Sequence, residues 1–108
     1  MLRAFLDVIG DAIRRSPRGG EIRLRTRAGD DGRVVIELAD GAPPMDREER
    51  EAMFDPRRGR DGGARDDGAV PVLAIARRTV ESHGGRIRFA ALPGGGGNRC
   101  VIELPVAG

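Results

Sequence analysis

Across 108 residues the chain contains no tryptophan, no tyrosine and no lysine, a single cysteine, and three phenylalanines, Phe5, Phe54 and Phe89. Three rings imply a core that is mostly aliphatic. They also leave few platforms on which bases or sugars can stack, which argues against a single-strand nucleic-acid binder of the aromatic type. One thiol, Cys100, cannot close an internal disulfide. No apolar run approaches the ~20 residues needed to span a bilayer. The apolar N-terminus is interrupted by Arg3 and Asp7, unlike a signal peptide. Together these absences predict a soluble module of a reducing, cytoplasmic setting that makes no membrane contact.

With lysine missing, all 19 basic residues are arginine, and 17 acidic residues nearly balance them to a net charge of +2. GC-rich coding selects Arg, Ala, Gly and Asp together, so the bias reads as compositional. Because acids interleave the arginines, nucleic acid is the weakest candidate partner. The length and the 39% hydrophobic content suit one domain over residues 1–108 with a single modest core.

Leu2, Phe5, Leu6, Ile9 and Ile13 recur at helical spacing and predict a helix with one buried face, ending at Ser16-Pro17 and Gly19-Gly20. "EIRLRT" and "RVVIELAD" then alternate as two strands around "AGDDGR", whose Asp31-Gly32 is a hairpin signal. "GAPPMD" is a rigid turn before a short acidic helix through "REEREAMF". Residues 55–69 shift to Arg, Gly and Asp with almost no apolar side chain, the composition of a mobile loop. A second long helix is expected from about Pro71 to His83, stopped at Gly84. "RIRFA" and "RCVIELP" close the chain as a hairpin, with Ile87 and Phe89 on one face of the first strand and Cys100, Ile102 and Leu104 on one face of the second. Strands in antiparallel pairs with helices on one side make an α/β (α+β) two-layer sandwich.

"DAIRRSPRGGEIRL", "IELADGAPP", "EAMFDP" and "LAIARRTVESHGGRIRF...GGGGNRCVIELP" stand in the order and spacing of the catalytic ATP-binding domain of sensor histidine kinases, which the chain resembles along nearly its whole length. That domain shares its family with Hsp90, gyrase B and MutL, and the stretch from "VESHGGRI" to "ELP" is the most specific. The resemblance implies a Bergerat-type fold, with a mixed, mainly antiparallel sheet covered on one face by helices. The strand that usually precedes the first helix, and the dimerisation helices bearing the phosphoacceptor histidine, have no counterpart in the matched stretches. The expectation is therefore a piece of a larger kinase.

The resemblance also assigns site residues. Asp11 and Asp7 take the places of two helical asparagines, the first of which helps to hold Mg²⁺, and helical spacing puts both on one side with Arg14. A carboxylate can ligate Mg²⁺, yet two carboxylates repel a triphosphate where two amides would not. The bland alternative is that Asp7 and Asp11 pair with Arg14 or Arg15 on a solvated face. Asp40 matches the adenine-reading aspartate. The Asp-x-Gly-x-Gly that should follow has Gly41 displaced by one, with Ala42 and Pro44 in the glycine places. Over the glycine-rich phosphate loop, Gly68 remains while Val70 and Val72 replace glycines and Pro71 replaces leucine. β-Branched side chains resist the required backbone, and proline has no amide hydrogen for a phosphate. Phe54 anchors the start of the ATP lid, residues 55–69, whose Arg57, Arg58, Arg60 and Arg65 read as solvated. His83 is structural, at a helix C-terminus, and Cys100 is a small buried apolar residue.

These departures predict a degenerate histidine-kinase ATP-binding domain of a two-component signalling protein. It would be a pseudo-ATPase with no catalytic residue of its own, with ATP and Mg²⁺ weakened. It would act by contact with the dimerisation and phosphoacceptor helices of a kinase or with a response regulator. Two alternatives stand beside it. One is a weakly active Mg-ATP-binding domain that phosphorylates a histidine on a partner domain, with Asp11 as metal ligand. The other is a sensor of another anion, such as a cyclic dinucleotide, gripped by Arg57 and Arg58.

Overall fold

The computed structural model describes residues 2–56 and 72–105. Helix α1 spans Leu2–Arg15, and Pro17, which has no amide to donate, follows its end. Strand β1 (Ile22–Ala28) turns through a short 3-10 segment at Asp30–Gly32 into β2 (Arg33–Asp40), with Gly32 at φ 73°. A capping box opens α2 (Arg47–Ala52): the Asp46 carboxylate accepts from the Glu49 amide at 2.7 Å, and the Glu49 carboxylate accepts from the Asp46 amide at 2.9 Å. Helix α3 runs Val72–Ser82 and ends at Gly84 with φ 81°, the left-handed cap that glycine supplies. Strands β3 (Arg86–Ala91) and β4 (Asn98–Pro105) complete the sheet.

The strand order is β1-β2-β4-β3. Every pairing among the described strands is antiparallel, so no parallel pair accounts for the mixed sheet that the resemblance implied. In register, Leu38 faces Cys100 and Cys100 faces Phe89. This row and the next, through Ile36, Ile102 and Ile87, form the floor on which α1 and α3 pack.

The buried stripe of α1 differs from the expected one. Ala4, Val8, Asp11 and Ala12 are buried, whereas Leu2, Leu6 and Ile13 are exposed, Leu2 by 71%. Both sets obey the helical period, and the neighbour decides between them. α1 lies against α3, whose buried residues are Leu73, Ala76 and Val80, and alanines let two helices approach where leucines would hold them apart. Phe5 and Ile9 pack only partly against the core.

The opposite sheet face carries Arg23, Arg25, Arg27, Arg86, Arg88 and Arg99 against Glu37 and Glu103. Val35 and Val101 are nonetheless buried there; their register neighbours are Arg27, Glu103, Glu37 and Arg88, whose aliphatic stems cover them.

Gly97 lies at φ 151°, and a Cβ added there would run into the carbonyl oxygen of Asp40. Substitution Gly97→Ala is expected to cost on the order of 2 kcal/mol or more, lowering the thermal midpoint by about 8 °C or more. Gly41→Ala, with nothing within 4 Å of the added carbon, should leave the midpoint within about 2 °C. Thermal unfolding followed by circular dichroism checks both.

Candidate functional site

The site is built where β2 ends. Alternation along β2 turns Asp40 to the helix side, and it is only 4% exposed. Asp11, one helical turn before the end of α1, is 3% exposed. Between them lies Arg15. Its Nε donates to Asp11 Oδ2 at 2.7 Å and its Nη1 donates to Asp40 Oδ2 at 2.7 Å. The guanidinium carbon stands 5.0 Å over the ring of Phe89, a cation–π arrangement. The other oxygen of Asp40 accepts the Ala42 amide at 3.0 Å. Both oxygens of Asp40 are thus engaged within the chain.

A second polar knot holds the loop beyond Asp40. Asn98, fully buried and opposite Asp40 in register, accepts from the Met45 amide at 2.9 Å through Oδ1. Its Nδ2 donates to the Pro43 carbonyl at 3.0 Å and more weakly to that of Ala42 at 3.4 Å. The bare backbone of Gly97 lets this strand start lie against Asp40. Arg50 adds a bond from Nη1 to the Met45 carbonyl at 2.7 Å. A proline-rich loop with few amide donors is thereby fixed through the carbonyls of Ala42, Pro43 and Met45 and through the Met45 amide.

Of the residues expected from sequence, Asp11 and Asp40 are brought together, through Arg15. The alternative that Asp11 pairs with Arg15 is found, but not on a solvated face: Asp11 is buried, because it shares the stripe of Ala4, Val8 and Ala12. Arg14 is a lesser partner, 3.7 Å from Asp11 and half exposed. Asp7 pairs with Arg3 at 3.5 Å instead and is not part of the Asp40 cluster. Gly41 is exposed, Ala42 is buried, and Val72 is the half-buried first residue of α3. Phe54 is buried against Phe89, ring centroids 5.4 Å apart. Gly68, Val70, Pro71, Arg57, Arg58, Arg60 and Arg65 lie outside the described residues. His83 is exposed, its Nδ1 2.8 Å from the Thr79 carbonyl.

Arg15 and Asn98 carry the site; Arg15 was named from sequence only as one possible partner of Asp7 and Asp11, a pairing found here for Asp11, and Asn98 was not singled out. The four-residue spacing of Asp11 and Arg15 was a legible signal for one half of the triad. The link to Asp40, 25 positions away, was not. Cys100 lies in the same region. Burial pushes its thiol from 9.0 up to about 12, an effect that Arg15 opposes and that Asp11 and Asp40 reinforce.

Against known proteins, the family profile "Histidine kinase-, DNA gyrase B-, and HSP90-like ATPase" matches residues 1–108. The chain is 32% identical over 106 residues to sensor histidine kinase ZraS of Klebsiella oxytoca, covering 98% of this chain and 22% of that protein. It is 32% identical over 107 residues to the histidine-protein kinase/phosphatase MprB of Mycolicibacterium smegmatis, again 22% of the relative. The chain thus spans about a fifth of the length of these curated relatives. Among solved structures, a mycobacterial sensor histidine kinase MprB superposes with a TM-score of 0.78 at 29% identity, covering 95% of this chain and 68% of that one. Full-length ShkA in complex with AMPPNP gives 0.78 at 26% identity, covering 97% of this chain and 21% of that one. The chain belongs to the histidine kinase-, DNA gyrase B- and HSP90-like ATPase family, as a histidine-kinase ATPase domain of the two-component sensor type.

Arg15→Ala leaves two buried carboxylates without their shared cation and should destabilise the fold by about 3 kcal/mol or more; Arg14→Ala should stay within about 0.5 kcal/mol. Urea unfolding distinguishes them. For Cys100 the sign is set by the protons bound: at alkaline pH the unfolded thiol has released its proton and the folded one keeps it. Stability should therefore fall as pH rises above about 9, by up to about 1.4 kcal/mol per unit from this group. Cys100→Ala should flatten that slope in unfolding curves taken between about pH 8 and 10.5.

Proposed function

We propose that this chain is a nucleotide-silent ATPase domain of a two-component sensor kinase, one that works through protein contacts rather than turnover. The observation that carries the reading is the Arg15 bridge. An adenine amino group donates to an aspartate at the place of Asp40, but here that carboxylate already accepts from the Arg15 guanidinium and the Ala42 amide, so adenine would have to share it with an internal cation. Asp11, the family's metal position, is bound by the same cation at 2.7 Å. Mg²⁺ at that carboxylate would share it with a guanidinium and meet like-charge repulsion. Committing both carboxylates to an internal cation disfavours Mg-ATP at this place.

The sequence of the phosphate loop supports the same reading. Val70 and Val72 stand where glycine backbone would wrap a phosphate, with Pro71 in the leucine place between them. The fold of the described residues, by contrast, is kept, as a domain retained for its surface would require. Leu2, Leu6 and Ile13 of α1 are exposed, an apolar face suited to helices. ThkA, a histidine kinase of the same fold, has been solved in complex with the response regulator TrrA. We place this chain in the same kind of assembly, against the kinase's own dimerisation and phosphoacceptor helices or a response regulator. Its setting would be cytoplasmic, and no described helix is long and apolar enough to cross a membrane.

Calorimetric titration of the folded protein with ATP and Mg²⁺ should give no saturable heat below about a millimolar; ADP and a cyclic dinucleotide run in parallel. Saturable ATP binding that Asp40→Asn abolishes would restore the weakly active kinase reading. Heat from the cyclic dinucleotide alone would favour an anion sensor.

A further inference from the structure

The outer side of α1 carries a stripe of its own. Leu2, Leu6, Ile9 and Ile13 follow one another at steps of four, three and four residues, the heptad spacing with which one helix receives another. At about 100° per residue they fall within an arc of about 60° that faces away from the buried stripe of Ala4, Val8 and Ala12. Leu2, Leu6 and Ile13 are each more than half exposed, while Ile9 turns partly inward. We propose that this stripe and the groove beside it seat an amphipathic helix of a protein partner, one whose aliphatic residues are bordered by acidic ones. The inference rests on the reading of the domain as one that works through protein contacts, and it names the chemistry of the partner.

The groove supplies an anchor point. Between α1 and the sheet it encloses about 270 Å³ and is lined by Phe5 and Ile9 of α1, Leu24 and Thr26 of β1 and Ile36 of β2. Thr26 brings the only polar side chain to the lining, and Leu24 at the rim is largely exposed. Stripe and groove are continuous through Ile9, which belongs to both. A large aliphatic side chain of an incoming helix would leave water in such a groove, as the central residues of an interface do. Exposed aliphatics on one helix face, joined to an apolar groove and bordered by charge, have the composition of an interaction site rather than of solvated surface.

Charge selects among partners. The exposed residues of α1 are Leu2, Arg3, Leu6, Ile13 and Arg14, three aliphatics and two cations. The acids of the same helix are withdrawn. Asp7 has a side chain only 16% exposed and offsets part of Arg3 at 3.5 Å, and Asp11 is buried and bonded by Arg15. Arg3 and Arg14 stay in solvent, with side chains 87% and 51% exposed. Arg14 also lies back along the helix, a guanidinium nitrogen 3.6 Å from where a Cβ on Gly10 would stand, so a cation borders the middle of the stripe. Acidic residues beside an incoming stripe would meet these arginines, and basic ones would be repelled. A second copy of α1 would bring arginine to arginine and is the poorer fit.

The test is a titration of ¹⁵N-labelled protein with two synthetic helical peptides that carry leucines at the same four-three-four spacing, one with glutamates beside the leucines and the other with lysines in those places. We expect saturable amide shifts from the glutamate peptide in residues 2–13 and 22–26, weakened by added salt, and binding of the lysine peptide weaker by about tenfold or more. Leu6→Gln changes an exposed side chain, so it should weaken the glutamate peptide by about tenfold with an unchanged unfolding midpoint. Ile75→Gln, at an exposed aliphatic of α3, should leave the affinity as it was. Absence of saturation, equal binding of the lysine peptide, or equal weakening by Ile75→Gln overturns the proposal. So does a dimer of the protein alone in sedimentation that Leu6→Gln dissolves, which would make a second copy the occupant. No nucleotide enters the titration: ATP binding in the calorimeter would overturn the nucleotide-silent reading without touching this result, and failure of the peptides would leave ATP silence standing.

Discussion

A guanidinium held between two buried carboxylates is the constraint on which the rest of this domain turns. Arg15 ties the end of α1 to the end of β2 through two short charge-assisted bonds and seats its plane on Phe89 in β3. Taking three charges out of water is expensive, and such a cluster is retained only where each member is satisfied. Here each is. The arrangement fixes a direction for Asp40, and from it the loop that Asn98 straps down. One side chain therefore links the helix layer, the sheet and the loop that opens the site.

Much of the fold was legible because strand alternation and helix stops are local. The β1–β2 hairpin follows from "AGDDGR", α2 from its capping sequence, and the end of α3 from Gly84-Gly85. What escaped was decided by contacts between distant elements. The large apolar residues of α1 satisfied the helical period as well as the alanines did, and only the closeness of α3 selects Ala4 and Ala12. The candidate site was half legible. Asp40 and Asp11 were named from the family resemblance, and Arg15 only as one of two possible local partners for Asp11. Nothing local said that it would reach a strand end 25 positions away. Asn98 was hidden for the same reason: its bonds run to residues more than 50 positions earlier.

The arginines also show how a compositional bias acquires structure. Read along the chain they are evenly mixed with acids. Folding sorts them into different environments: a buried bridge at Arg15, a row across the uncovered sheet face that includes Arg88, and exposed pairs along the helices, such as Arg47 with Glu51 and Arg77 with Glu81. A guanidinium does different work in each, because the number of carboxylates within reach and the polarity beneath it differ.

The sheet margins carry a consequence of their own. β1 and β3 are the outer strands of the described sheet, and their alternate positions hold Arg23, Arg25 and Arg27 on one side and Arg86 and Arg88 on the other. If two copies tried to zip together along either margin, arginine would face arginine, and opposed like charges disfavour such pairing. A crowded solution of this domain is thereby guarded against growing into a continuous sheet, and self-association, where it occurs, is directed to the helical side.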